Sequence, residues 1–130
     1  MYVLDTNTLI YFFKGMGRVP ENLLAKSPHE IGIPAIVLYE LEYGILKSAS
    51  PKKRIEQLHA LCALITVLPF SQREAKIAAA IRFDLEQKGQ PIGHYDILIA
   101  ATALQQNAVL VTNNTREFSR IEILKIEDWY

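Results

Sequence analysis

Four acidic residues lie against apolar segments. Asp5 ends the run Tyr2-Val3-Leu4, Glu40 follows Ile36-Val37-Leu38-Tyr39, Asp96 heads Ile97-Leu98-Ile99-Ala100, and Glu117 comes shortly after Val109-Leu110-Val111. A carboxylate so placed is drawn from water at a cost unless a donor or a positive charge answers it. Asp5 admits two readings: N-cap of a helix opening at Thr6-Asn7, or ligand at the carboxyl end of a strand, where open α/β sheets bind their ligands. Asp96 has no Lys or Arg within six residues. It either caps its helix through the helix dipole or meets a positive partner from elsewhere in the fold, a metal being one candidate.

Glu40 competes with Glu42, because both flank the stripe Val37, Leu38, Leu41 and Ile45 at similar angles, and both can be solvated flank residues. Gly44, one turn beyond Glu40 on the same face, favours Glu40 by leaving room for an ion or a substrate. Ala100, one turn beyond Asp96, is expected to keep the surface open there in the same way. Thr112 and Asn114 offer neutral oxygens at a strand end, and Glu117 a charge within reach of it. The fourth position of the cluster stays open between Asn114 and Glu117, and Asn113 reads as a turn residue. With one cysteine and no paired histidines, this oxygen set fits a hard cation, Mg2+ or Mn2+, held by a few carboxylates and several waters. Such a site suits phosphodiester hydrolysis.

Composition is consistent with that chemistry. The 130 residues make one domain, 1–130, large enough for one sizeable core; 50% are apolar and 22% charged, as in ordinary globular proteins. Fourteen basic and fourteen acidic residues give zero net charge, which argues against a protein that coats nucleic acid by charge alone. A nuclease remains open, since acids gathered in one pocket leave the rest of the surface net basic, and a bound cation reverses the pocket's sign. No apolar run approaches the roughly 20 residues that span a bilayer, and no cleavable leader is visible, so no membrane association and a cytoplasmic location are expected. Cys62, the single cysteine, reads as a small core residue.

Strands and helices alternate along the chain. Residues 2–5 form a strand; a helix capped by Thr6 or Asn7 runs to about Lys14 and is ended by Gly15, Gly17 and Pro20; a short helix follows near 21–26. Ile31-Gly32-Ile33 is strand-like, and Pro34 falls in the first turn of a helix to about Leu46. Ser50-Pro51 starts a helix to about Ala63, 65–68 is a strand, and the capping box Ser71…Glu74 opens a long helix closed by Gly89. A nearly all-apolar, buried helix spans about 95–106 with Asn107 as left-handed cap; 108–112 and 121–126 complete the strands. The alternation implies parallel pairing and a three-layer α/β/α sandwich with a central parallel sheet.

The motifs Leu4-Asp5-Thr6-Asn7, Glu40-Leu41-Glu42-Tyr43-Gly44, Pro91-Ile92-Gly93-His94-Tyr95-Asp96 with Ile99-Ala100, and Val111-Thr112-Asn113-Asn114-Thr115-Arg116-Glu117-Phe118 together resemble those of PIN-domain ribonucleases. More closely, they resemble the VapC toxins of bacterial toxin–antitoxin pairs, over the whole chain to Glu127-Asp128-Trp129. By position, Asp5, Glu40 and Asp96 match the family's acidic triad, and the fourth polar position falls on Asn114 or Glu117. The resemblance implies a PIN-like fold, a Mg2+-dependent endoribonuclease, a homodimer, and a VapB-type antitoxin partner. It also implies tRNA as substrate, with the initiator tRNA anticodon region as the first guess.

Leu9-Ile10-Tyr11-Phe12-Phe13 offers more apolar surface than one core face can bury, which suggests self-association or a groove for an antitoxin helix. Arg116, beside the acids, is a candidate RNA phosphate contact. The alternative from another class is a catalytically silent PIN-like module that docks a protein partner or RNA. A phosphatase of the haloacid dehalogenase type needs Asp-x-Asp after its first strand, and the second position here is Asn7.

Overall fold

A computed structural model describes every residue from Met1 to Tyr130. Five short strands, β1 (Tyr2–Leu4), β2 (Ile31–Pro34), β3 (Thr66–Leu68), β4 (Val109–Val111) and β5 (Lys125–Glu127), form one parallel sheet in the order β3-β2-β1-β4-β5. Seven helices connect them: α1 (Thr6–Lys14), α2 (Val19–Leu24), α3 (Ala35–Leu46), α4 (Pro51–Cys62), α5 (Gln72–Gln87), α6 (His94–Gln105) and α7 (Thr115–Phe118). The crossovers β1-β2-β3 step one way along the sheet, and those from β3 to β4 and β5 step back the other way. With right-handed connections, the two sets of helices therefore cover opposite faces, giving the expected three layers.

The core forms one cluster of 27 buried apolar residues. Val3, Leu4, Leu110 and Val111 on the two central strands are fully buried, as continuous apolar runs must be when both sheet faces are covered. α6 is buried along Ile97 and Ile99–Ala103, which accounts for its lack of an amphipathic stripe. Asn107 closes it at φ 49, the left-handed geometry read from its type. No helix is long and apolar enough to cross a membrane.

Four boundaries differ from the sequence reading. α1 is capped by Asp5 and not by Thr6 or Asn7, both of which lie inside it, because the Asp5 carboxylate accepts the Thr8 N–H. Pro34 is not inside the helix: with φ −58 and ψ 142 it is the last residue of β2, paired with Leu68, and α3 starts at the next residue. Its missing N–H costs nothing, because the β1 side of β2 is paired only at Ile31 and Gly32. Pro20 lies in the first turn of α2, so that helix begins two residues earlier than expected. The last strand covers 125–127, not 121–126: Ile121 and Leu124 are buried in a turn closed by the Leu124 N–H to Ile121 carbonyl bond at 3.1 Å. Apolar periodicity marked these residues as buried, and the turn buries them equally well.

The aromatic excess of α1 has partners within the chain. Leu9 is fully buried, Tyr11 packs edge-on against Tyr130 at 5.0 Å, and Ile10 and Phe13 face α3. Cys62, read from the sequence as a core residue, lies half-buried at the edge of the core and outside the buried cluster, because it ends α4 on the outer side of the sheet's cover.

Candidate active site

The direction of the connections changes between β1 and β4, and ligands of open α/β sheets bind at such a switch point, outside the carboxyl ends of the strands. Asp5 directly follows β1 and Thr112 directly follows β4. Asp5 is buried and caps α1: one of its oxygens accepts the Thr8 N–H at 2.9 Å. The cap and site readings of this residue are thus compatible, since capping occupies only one face of the carboxylate. Burial pushes the Asp5 carboxyl above its ordinary range, the Thr112 hydroxyl and Thr8 counter it, and the negative charge of Asp128 adds to the rise.

Asp96 sits in the first turn of α6, where the helix dipole favours negative charge. Its pKa is nevertheless raised to about 6, first by burial and then by the carboxylates of Glu117, Asp5 and Glu40. The four acids singled out from the sequence therefore share one electrostatic environment. No cationic side chain is among the groups acting on Asp5 or Asp96.

Glu40 and Glu42 separate cleanly. The Thr6 hydroxyl at the head of α1 donates to Glu40 Oε1 at 2.8 Å, tying this glutamate to the loop that carries Asp5. Glu42 instead turns to His59 on α4, 3.6 Å away. Gly44 has open space where a side chain would stand, and a cavity of about 260 Å3 opens there, lined among others by Glu40, Gly44, Phe13, Lys14 and Arg54. Ala100 plays no such part: it is completely buried in the core, so the opening lies on the α3 side alone.

At the fourth position Asn114 and Glu117 act together. The Asn114 side-chain amide donates to Glu117 Oε2 at 2.9 Å, and the Asn114 N–H donates to the Thr112 hydroxyl at 2.9 Å. Of the neighbouring carboxylates Glu117 raises Asp96 the most, and Asn114 is the residue that holds it. Arg116 is exposed, and none of the four ion pairs in the chain uses it. Asp128 was not found from the sequence. It accepts from the Asn113 amide at 3.0 Å and from the Tyr130 N–H at 2.9 Å, and its charge reaches Asp5. Nothing local marks it, because its place depends on β5 lying beside β4. Tyr39 and Tyr95, next in sequence to Glu40 and Asp96, meet across α3 and α6 with ring centroids 5.9 Å apart and hydroxyls at 3.4 Å.

The donor set suits a hard cation: Asp96 is raised by burial and by the carboxylates of Glu117, Asp5 and Glu40, and no Lys or Arg is among the groups acting on it or on Asp5, the cations Lys14 and Arg54 lying instead along the cavity beside Glu40. No three acidic, His or Cys side chains stand close enough to grip a bare ion together.

Comparison with known proteins agrees with this geometry. Residues 2–124 match the PIN domain family. The chain is 38% identical to ribonuclease VapC2 of Rickettsia felis, covering 99% of this chain and 98% of that one. It is 37% identical to the tRNA(fMet)-specific endonuclease VapC of Salmonella typhimurium, covering 98% and 97%. Among solved structures, it is similar to VapBC2 of Rickettsia felis bound to a promoter DNA fragment, with a TM-score of 0.89 at 39% identity and coverage of 99% and 98%. DNA-bound VapBC of Salmonella typhimurium gives a TM-score of 0.91 at 36% identity, over 99% and 98%. Motif order, sheet topology and whole-length similarity thus coincide, and the chain belongs to the PIN-domain family, within it to the VapC ribonucleases of VapBC toxin–antitoxin pairs.

Proposed function

We propose that this chain is a Mg2+- or Mn2+-dependent endoribonuclease that cleaves tRNA, first of all in the anticodon region of initiator tRNA, and that a VapB-type antitoxin neutralises it. One observation carries the reading: the charges of Glu117, Asp5 and Glu40 all act on the part-buried Asp96 beside the switch point, and no positive side chain is among the groups acting on Asp5 or Asp96. The relative from Salmonella named as tRNA(fMet)-specific supports the choice of substrate. The VapBC complexes among the structural relatives support the choice of partner. A homodimer is part of the proposal.

Asp5, Asp96 and Glu40 would hold the cation, each already oriented: Asp5 by the Thr8 N–H and Thr112, Glu40 by the Thr6 hydroxyl, Asp96 by its seat in the first turn of α6. A bound divalent ion activates water and offsets charge on the phosphate in the transition state. Glu117, with one oxygen held by Asn114, has the other free to orient the attacking water and accept its proton. The water oxygen bonds to phosphorus as the bond to the leaving ribose oxygen breaks. Arg116 contacts a neighbouring phosphate.

The test is incubation of the purified protein with total RNA, with and without Mg2+, followed by mapping of the new ends. Discrete ends in the initiator tRNA anticodon loop that depend on Mg2+ and vanish in Asp5→Asn are the expected result. Binding of RNA without any new ends would overturn the enzyme and leave a silent docking module; ends in another RNA would overturn only the substrate.

A further inference from the structure

Beside the carboxylates runs a feature that the hydrolytic reading leaves unused. Tyr39, Tyr43 and Lys47 recur every four residues along α3 and so form one stripe. Tyr95 of α6 extends it past Tyr39. The three rings are 52%, 55% and 47% exposed, far more than large aromatic groups of a packed domain need to be. They are held in place nonetheless: Tyr39 against Tyr95 edge-on, and Tyr43 under the Lys47 ammonium, 4.5 Å from its ring centroid. Each end of the Tyr39–Tyr95 contact is joined through the backbone to a member of the acid cluster, Glu40 and Asp96.

Held, flat, exposed rings with a cation at one end are the elements of a surface for unpaired nucleotides: bases stack on the rings and the cation meets the backbone. We propose that Tyr95, Tyr39 and Tyr43, ending at Lys47, form a stacking track that holds unpaired bases of the RNA flanking the cleaved bond. The track answers a problem set by the site itself. A pocket of carboxylates repels the phosphate backbone it must receive, and face contacts to bases attract the strand without adding charge near the cation. Lys47 lies at the far end of the stripe, two turns from Tyr39, where it can take a phosphate without neutralising the acids. A track of this kind selects unpaired over paired RNA and tolerates sequence.

The inference rests on the ribonuclease reading and is tested apart from it. Cleavage of total RNA by the native chain decides that reading. The track is tested with the Asp96→Asn protein and two probes: a short mixed-sequence single-stranded RNA and a ribose-phosphate chain of equal length without bases. The base-bearing strand should bind about tenfold or more tightly than the abasic one. Tyr43→Ala and Tyr39→Ala should each weaken it about tenfold and leave abasic binding unchanged. Tyr43→Phe and Tyr39→Phe, which keep the ring and lose the hydroxyl, should bind as the parent does. In the native enzyme Tyr43→Ala should raise KM with little change in kcat. The ring contact and hydroxyl pair that join α3 to α6 are those of Tyr39 with Tyr95, whereas the Tyr43 ring is paired with Lys47 of its own segment, so Tyr43→Ala leaves that junction in place. Equal binding of the two probes, equal losses on both in the Ala variants, or losses as large in the Phe variants would each overturn the track. A lower sedimentation coefficient of the free Tyr43→Ala protein would overturn it too, by making the stripe a contact between copies.

Discussion

Asp96 is the residue on which charge and stability are most closely tied. Its ordinary pKa of 3.8 is raised to about 6 in the fold, so the metal-free fold favours the protonated form more than the unfolded chain does. That contribution to stability is complete below 3.8 and is lost as pH rises through about 6. Asp96→Asn should therefore unfold at a temperature less dependent on pH across this window, be more stable than the parent above it without metal, and have no cleavage activity. Thermal melts at several pH values in a chelator check the first two. Because protons and a cation compete for the same carboxylates, the parent should need more Mg2+ as pH falls below about 6, a shift that titration of cleavage against Mg2+ would show. Glu40→Gln should cost at least about tenfold in turnover and Glu42→Gln much less, since only Glu40 is tied to the Asp5 loop. Glu117→Gln should lower turnover, and Asn114→Ala should lower it less, because the amide only holds the carboxylate. Unchanged turnover in Glu117→Gln would remove this residue from the mechanism. Motif spacing singled out the four acids whose charges meet at Asp96, and Gly44 favoured Glu40, the glutamate that the structure ties to the Asp5 loop, over Glu42, which turns to His59. The sequence left Asn114 and Glu117 as rivals because a hydrogen bond between neighbours looks, in a string of letters, like a choice between them.

At the scale of elements, alternation of apolar runs with capping and breaking residues was enough to place four of the five strands and most helix starts. What it missed depends on neighbours in space. Whether Pro34 ends a strand or opens a helix turns on which side of β2 is paired, and the position of β5 turns on register with β4. The C-terminal segment is the clearest case. Gly17, at φ +59, leaves no room for a side chain, since an added Cβ would stand 2.6 Å from the Tyr130 carbonyl oxygen. That oxygen accepts the Arg18 N–H, Asn22 donates to the Trp129 carbonyl, and Lys26 lies over the Tyr2 and Trp129 rings. In sequence Gly17 reads only as a helix terminator. Gly17→Ala should destabilise by about 1 to 3 kcal/mol through strain at this dihedral and loss of the docked terminus. Denaturant melts check the size, and the active-site acids should keep their activity in the folded fraction.

For the molecule as a whole, the acid cluster is built from opposite ends of the chain. Asp5 lies on the first strand, and the Thr112 hydroxyl that steadies it and the Glu117 charge that acts on Asp96 lie beyond residue 110. β1, the earliest of the five strands in the sequence, is the middle strand of the sheet, and one of its two neighbours is β4, more than a hundred residues later. Contacts so distant in sequence form late, because the loop must close before they reward it. A nascent chain lacking β4 and α7 has Asp5 and Glu40 but no crevice to assemble them in. The crevice is thus complete only after β4 and α7 have been made and docked: the order of synthesis itself withholds assembly of the acid cluster until residues beyond 110 have joined it.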